Sequence, residues 1–189
     1  MRQLNETTPQ VNERRLWRVI SPVIMRKRRD REFEQFFCSS KDQVFRVLLV
    51  VTRDREVAED AVSEAYTRAL TLWETVKHHA TPSAWVTRTA MNYVRSVHRV
   101  TARMSSSEDL SELPVSDDPP TDPELLRRLL ALPERQREVV ALRILLGLDT
   151  KQTAELIGIA EGTVTTHLFR ALTRLQQELS EIAPKEAWL

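Results

Sequence analysis

The sequence predicts an all-α protein: two small helical domains joined by an acidic flexible linker, the second of them a helix-turn-helix domain. Three observations carry that prediction. Only three glycines stand among 189 residues, beside long runs of Leu, Ala, Arg and Glu, which is the composition of helices. The net charge of +1 conceals blocks: residues 1–31 hold nine basic and three acidic groups, and residues 104–124 hold seven acidic groups and no Lys or Arg. Charge set out in blocks marks tails and linkers rather than core. In residues 147–174 a short amphipathic stretch, a glycine and a longer amphipathic stretch follow one another, the order of a helix-turn-helix.

Residues 1–31 form a basic extension. RKRRDR at 26–31 suits a DNA or protein contact or a plain tail, and Trp17 within RRLWRVI suggests an amphipathic turn cut short by Pro22. Residues 32–103 read as a packed helical domain. Phe33, Phe36 and Phe37 start a short helix, and Val44, Phe45, Val47, Leu48, Val50 and Val51 belong to a second. A third spans roughly residues 55–76 with Val57, Ala61, Ala65, Ala69, Leu72 and Trp73 inward. Glu56, Glu59, Asp60 and Glu64 make its first half acidic. The helix macrodipole alone accounts for acids there; a docking face of Asp60, Ser63, Glu64 and Thr67 accounts for them equally well.

A fourth helix follows Pro82, a residue suited to a first turn, and runs to about residue 103. Arg88, Asn92, Arg95, Ser96, Arg99 and Arg103 recur at spacings of three and four and share a face. Trp85, Val86, Ala90, Tyr93, Val94 and Val97 supply the opposite, apolar side. No acid lies between Lys77 and Arg103. A one-sided basic stripe with Asn and Ser among the arginines suits phosphate contacts and a few base contacts; the plainer alternative is a solvated face. The acidic linker, residues 104–121, is rich in Ser, Asp and Pro, with the Pro119–Pro120 pair opposing any regular element.

Residues 122–189 form the second domain. Helices at about 122–132 and 133–146 precede the helix-turn-helix. Asp149 caps a helix start and Gln152, three residues on, returns the bond, which is a capping-box spacing. Ala154, Leu156 and Ile157 give the short helix its apolar side, and Gly158 enters the left-handed turn without steric cost. Val164, Leu168, Ala171, Leu172, Leu175 and Leu179 then line one face of a second helix. Thr163, Thr165, Thr166, His167, Phe169 and Arg170 are left to point elsewhere, as a helix entering a DNA major groove requires. An ordinary helical hairpin is the alternative for this stretch taken alone.

The remaining chemistry is quiet. The single cysteine, Cys38, excludes an internal disulfide and reads as a small buried side chain in a reducing, cytoplasmic setting. No Cys/His cluster has metal-ligand spacing, and no triad, carboxylate pair or Gly-rich loop points to an enzyme or a cofactor. No apolar run approaches membrane-spanning length.

Three stretches together, DREVAEDAVSEAYTRALTLW, PSAWVTRTAMNYVRS and LPERQREVVALRILLGLDTKQTAELIGIAEGTVTTHLFRAL, resemble bacterial RNA polymerase sigma factors of the extracytoplasmic-function (ECF) group of the sigma-70 superfamily. The resemblance covers about residues 32–103 and 122–180, with three motifs in the family's order and spacing. It implies an alternative sigma factor, not an enzyme, that binds core RNA polymerase and promoter DNA. The implied polymerase contacts are the clamp helices of the largest subunit and the flap of the second-largest. AEDAVSEAYTRA is similar to the family's polymerase-binding segment, which assigns Asp60, Ser63, Glu64, Thr67 and Arg68 to docking; Ser63 stands where relatives often have Gln. Lys77, His78 and His79 fall in the loop (KHHAT, 77–81) that captures a flipped base of the melted minus-ten element. Arg88, Asn92, Arg95, Ser96 and Arg99 fall beside it on the strand-binding helix. The histidines are either stacking groups or idle loop residues.

For the minus-thirty-five duplex, the resemblance implies Thr163, Thr165, Thr166, His167, Phe169 and Arg170 in the recognition helix and a phosphate-contacting Arg143 before it. The chain departs from the family where relatives usually carry Lys or Arg at Thr165, Arg at His167 and often Ser at Ala160. Two fewer positive charges weaken duplex binding and flatten its salt dependence. A missing Ser cap removes about 1 kcal/mol, unless Thr163 or Glu161 substitutes. The linker, by resemblance, runs through the RNA-exit path, as a nucleic-acid mimic or as a simple tether. An anti-sigma partner is implied by the family and by no residue of the chain. A stand-alone helix-turn-helix regulator of operator DNA is the second reading, and a helical adaptor with no DNA role the third.

Overall fold

The computed structural model describes residues 29–104 and 122–180. The first half runs α1 (Arg29–Thr52), α2 (Arg55–Thr71), α3 (Trp73–Val76) and α4 (Pro82–Met104). The second runs α5 (Pro123–Ala131), α6 (Glu134–Val140), a π-helical turn (Ala141–Leu145), α7 (Thr150–Ile157) and α8 (Glu161–Ser180). There is no strand among the described residues. The expectations for residues 1–28 and for the acidic linker at 105–121 fall outside them.

The two short helices expected over 33–51 are one helix of 24 residues. Ser39 and Ser40 do not interrupt it, because both hydroxyls donate back to the Phe36 carbonyl, at 3.0 and 2.6 Å. Helix α1 stops at Arg53, whose φ of 60° is left-handed, with its N–H on the Leu49 carbonyl at 3.0 Å. Asp54 then caps α2, accepting from the Val57 N–H at 3.1 Å. The helix expected over 55–76 breaks at Leu72, which is exposed rather than inward. Leu172 is exposed as well, and Cys38 lies on the solvent side of α1 rather than in the core.

Helices α1, α2 and α4 pack against one another. Ala58, Ala61, Ala65 and Ala69 give α2 a small-residue face that admits close neighbours, and Val44, Leu48, Val62, Val86, Ala90 and Met91 fill the space between. One end is closed by aromatic rings, Phe37 on Tyr66 with centroids 4.9 Å apart and Phe33 on Trp73 at 5.4 Å. The buried Tyr66 hydroxyl lies 2.7 Å from Ser40 Oγ, which in turn donates to Phe36, so the phenol donates to the serine. Burial pushes the Tyr66 phenol well above its ordinary value.

In the second half α6 and α7 pack on α8 around Leu132, Val139, Leu142, Leu148, Leu156, Ile157, Val164 and Ala171. The expected capping box is present: Gln152 N–H donates to Asp149 Oδ1 at 2.7 Å and Asp149 N–H to Gln152 Oε1 at 3.0 Å. Gly158 takes the left-handed turn at φ 72°, ψ 42°. The helix-turn-helix is therefore built as its local chemistry dictates. The two halves also meet: α1 packs on the π turn, α6 and α5 as well as on α2 and α4, and the buried side chains form one continuous core.

Two outcomes follow. Ser40→Ala strands the buried Tyr66 hydroxyl and is expected to cost about 1–3 kcal/mol in urea unfolding, whereas Tyr66→Phe removes the group that needs a partner and costs about 1 kcal/mol; the reverse order contradicts the assigned hydrogen bond. Arg127, and then Arg128, hold the Glu124 carboxyl down at about 2 against an ordinary 4.5. A carboxylate so depressed contributes stability that is complete above the ordinary value and is lost as pH falls through about 2. NMR titration of Glu124 is expected to show the low midpoint, and Arg127→Ala to move it upward.

Candidate nucleic-acid interface

The stripe on α4 is seated as its periodicity requires. Val86, Ala90, Met91 and Val94 are buried, while Arg88, Asn92, Arg95 and Arg99 are exposed. The stripe is held in order along the helix: Arg95 Nη1 donates to Asn92 Oδ1 at 3.3 Å and Arg99 Nε to the Arg95 carbonyl at 3.2 Å. Ser96 is half-buried and donates to the Tyr93 carbonyl, so it offers acceptor lone pairs rather than a free donor. In the loop before α4, Lys77 pairs with Glu74 at 2.7 Å and Glu32 at 3.4 Å, and the Glu74 carboxylate raises its pKa. His78 and His79 are exposed beside it, and His79 Nδ1 accepts the Thr81 N–H at 3.4 Å.

On α8, Thr163, Thr165, Thr166, Phe169 and Arg170 all face solvent, and Phe169 is 70% exposed, unusual for a ring with no ligand. Thr165 and Thr166 donate to the carbonyls of Glu161 and Gly162 at 3.2 and 2.9 Å. Their hydroxyls are thereby committed as donors and remain acceptors. His167 is half-buried with Nδ1 enclosed and unpartnered, and so sits apart from that face. Arg143 is likewise turned inward: it donates to the Leu148 carbonyl and its Nε is enclosed, which pins the turn before α7.

The proposed docking residues share α2. Asp60 and Arg68 are exposed; Ser63, Glu64 and Thr67 are half-buried. Arg68 pairs with Glu64 at 2.6 Å, Thr67 donates to the Ser63 carbonyl at 2.8 Å, and Ser63 Oγ is enclosed without a partner. Asp60 and the Arg68–Glu64 pair are thus the polar groups this face presents.

Contacts between the halves went unforeseen. Gln43 Nε2 donates to the Leu145 carbonyl at 2.8 Å, Gln152 Nε2 to Thr81 Oγ1 at 3.0 Å and Arg88 Nη2 to the Glu155 carbonyl at 2.7 Å. The one signal for them was Gln152 itself, because a capping-box glutamine uses its oxygen and leaves its NH2 group over. Among the described residues no group of three or more His, Cys, Asp or Glu could hold a metal ion, and no helix is long and apolar enough to cross a membrane.

Comparison with known proteins agrees with this arrangement. The family described as Sigma-70 region 2 matches residues 37–110, and that described as Sigma-70, region 4 matches residues 123–175. The RNA polymerase sigma-E factor of Streptomyces coelicolor is 32% identical over 157 residues, which cover 78% of this chain and 86% of that protein. The ECF RNA polymerase sigma factor SigM of Mycobacterium tuberculosis is 30% identical over 151 residues, covering 78% of this chain and 76% of that one. Among solved structures, the sigma factor RpoE in complex with the anti-sigma factor NepR from Bartonella quintana shares the fold, with a TM-score of 0.64 at 22% identity over 79% of this chain and 97% of that chain. With both conserved regions in order and relatives matched over most of their length, the chain belongs to the sigma-70 family of RNA polymerase sigma factors, in its ECF group.

Proposed function

We propose that this sigma factor directs initiation by reading two promoter elements with two separate surfaces. The exposed edge of α8, from Thr163 to Arg170, reads the minus-thirty-five duplex. The α4 stripe and the 77–81 loop hold the melted minus-ten strand. The observation that carries the reading is the acid-free, exposed row Arg88, Asn92, Arg95 and Arg99, standing on a helix whose other side buries Val86, Ala90, Met91 and Val94 in the core. Helix α2, through Asp60, Glu64 and Arg68, docks on the clamp helices of the polymerase, and the second half meets the flap. The protein acts by binding, without catalysis or cofactor, in the cytoplasm.

Within α8 the groups divide by chemistry. Arg170 supplies phosphate attraction, Phe169 an apolar surface suited to thymine methyls, and Thr165 and Thr166 acceptor oxygens for exocyclic amines. With Arg143 held on the Leu148 carbonyl, the duplex surface carries less positive charge than the sequence promised, so shape and apolar contact weigh more in its selectivity. The anti-sigma factor in the Bartonella complex supports a partner of that kind here.

Run-off transcription from genomic fragments with core polymerase tests the reading. Transcription that requires this chain supports it; duplex binding with no effect on core polymerase would instead favour a stand-alone regulator. Arg170→Ala is expected to weaken minus-thirty-five duplex binding roughly tenfold and to lower the slope of log affinity against log salt by about 0.9. Arg95→Ala is expected to leave that duplex affinity unchanged and to reduce open-complex formation, measured by permanganate reactivity of unpaired thymines.

A further inference from the structure

We propose that residues 16–25, LWRVISPVIM, dock within the same chain on the apolar end of the first half, at Phe36, Leu70 and Leu72, so that the basic extension is a part of that domain and not a tail. The seat lies where α1 and α2 meet α3. Phe36 stacks on Trp73 with centroids 5.1 Å apart and tilts against Tyr66 at 5.9 Å, yet is only half-buried. Leu70 follows Tyr66 by one helical turn and is half-buried against the same core. Leu72, where α2 breaks, is next in the chain to Trp73 and is 49% exposed. A lone exposed leucine is ordinary; open apolar surface gathered around one aromatic cluster marks a contact site.

Composition, reach and charge select the occupant. Residues 16–25 carry seven apolar side chains in ten, a run that is costly to leave in water. Pro22 prevents one continuous helix, so the run follows a surface as two short pieces. The start of α1 stands beside α3, with Phe33 on Trp73 at 5.4 Å and Glu32 paired with Lys77 at 3.4 Å. From Arg29, where α1 begins, to Phe36 the helix rises about 10 Å. Residues 26–28 fully extended also span about 10 Å, so Met25 reaches Phe36 by turning back once along α1. A tether this short holds the segment at roughly millimolar local concentration, and a free partner of like chemistry, a second copy included, competes poorly. The rim of the seat is acidic: the exposed Glu32 and Glu74 set two carboxylates against the one ammonium of Lys77. Helix α2 ends here at Thr71 and adds its negative pole. Arg14, Arg15 and Arg18 before and within the apolar run, and Arg26, Lys27 and Arg28 after it, match that sign, with no acid between Arg14 and Arg29.

A nitroxide on Thr75→Cys, an exposed position of α3, reads proximity in the full chain through broadening of backbone amide signals, with Cys38→Ser removing the other thiol. The amides of residues 16–25 are expected to lose most of their intensity and to regain it when the nitroxide is reduced. Leu72→Ser on the seat and Trp17→Ser on the segment are each expected to restore much of that intensity while the signals of α1 and α2 keep their positions. Leu72 is exposed and Trp17 lies ahead of α1, so neither change opens the buried core. Residues 16–25 at full intensity beside the nitroxide overturn the docking. Broadening that survives both substitutions overturns the seat. Broadening that fades on dilution makes the occupant a second copy's segment and overturns docking within one chain.

Discussion

Helix α1 has to be apolar on two sides, and the rest of the structure hangs on that requirement. Phe33, Phe37, Val44, Phe45, Val47, Leu48, Leu49 and Val50 are all buried along a single helix. One side seats α2 and α4, which fixes the basic stripe and the 77–81 loop proposed to hold the melted strand. Its other side seats the π turn and α6, which fixes the platform from which α7 and α8 project. Neither proposed DNA surface lies on α1, yet the position of each is set by what α1 buries.

The halves share one core, and polar contacts are added along the seam between them. These polar contacts use two helix-end carbonyls, one loop hydroxyl and leftover side-chain donors. Such groups exchange protein for water at small net cost. An initiation factor that meets polymerase, duplex and separated strand needs surfaces held in register. The two halves are thus joined both by a shared apolar core and by these polar contacts.

The parts of the site legible in the sequence were those set by local chemistry. The capping box at Asp149 and Gln152, the left-handed Gly158 and the period of the α4 stripe each depend on residues within a few positions of one another, and each is present. Seats set by distant residues were not legible. Gln43 and Leu145 are 102 positions apart. Residues 33–51 divided into two helices in the sequence, which does not reveal whether hydroxyls such as those of Ser39 and Ser40 bond forward, as caps, or back to the helix, as these do. Arg143 matched a family phosphate contact, but the turn at Gly147 and Leu148 brings a carbonyl within its reach first. Leu72 and Leu172 carry the period of their helices yet lie where no neighbouring element covers them.

The central claim is that two surfaces act together on one promoter, held at a set separation once polymerase has engaged both halves. Changing the distance between the two DNA elements tests this most directly. In a promoter selected by the reconstituted holoenzyme, inserting about five base pairs between the minus-thirty-five and minus-ten elements rotates one against the other by roughly half a helical turn. The account predicts that run-off transcription falls by at least about tenfold, a penalty of about 1.4 kcal/mol or more in initiation, while binding of the isolated minus-thirty-five duplex is unchanged. Initiation that persists at its original level in the lengthened promoter would contradict it.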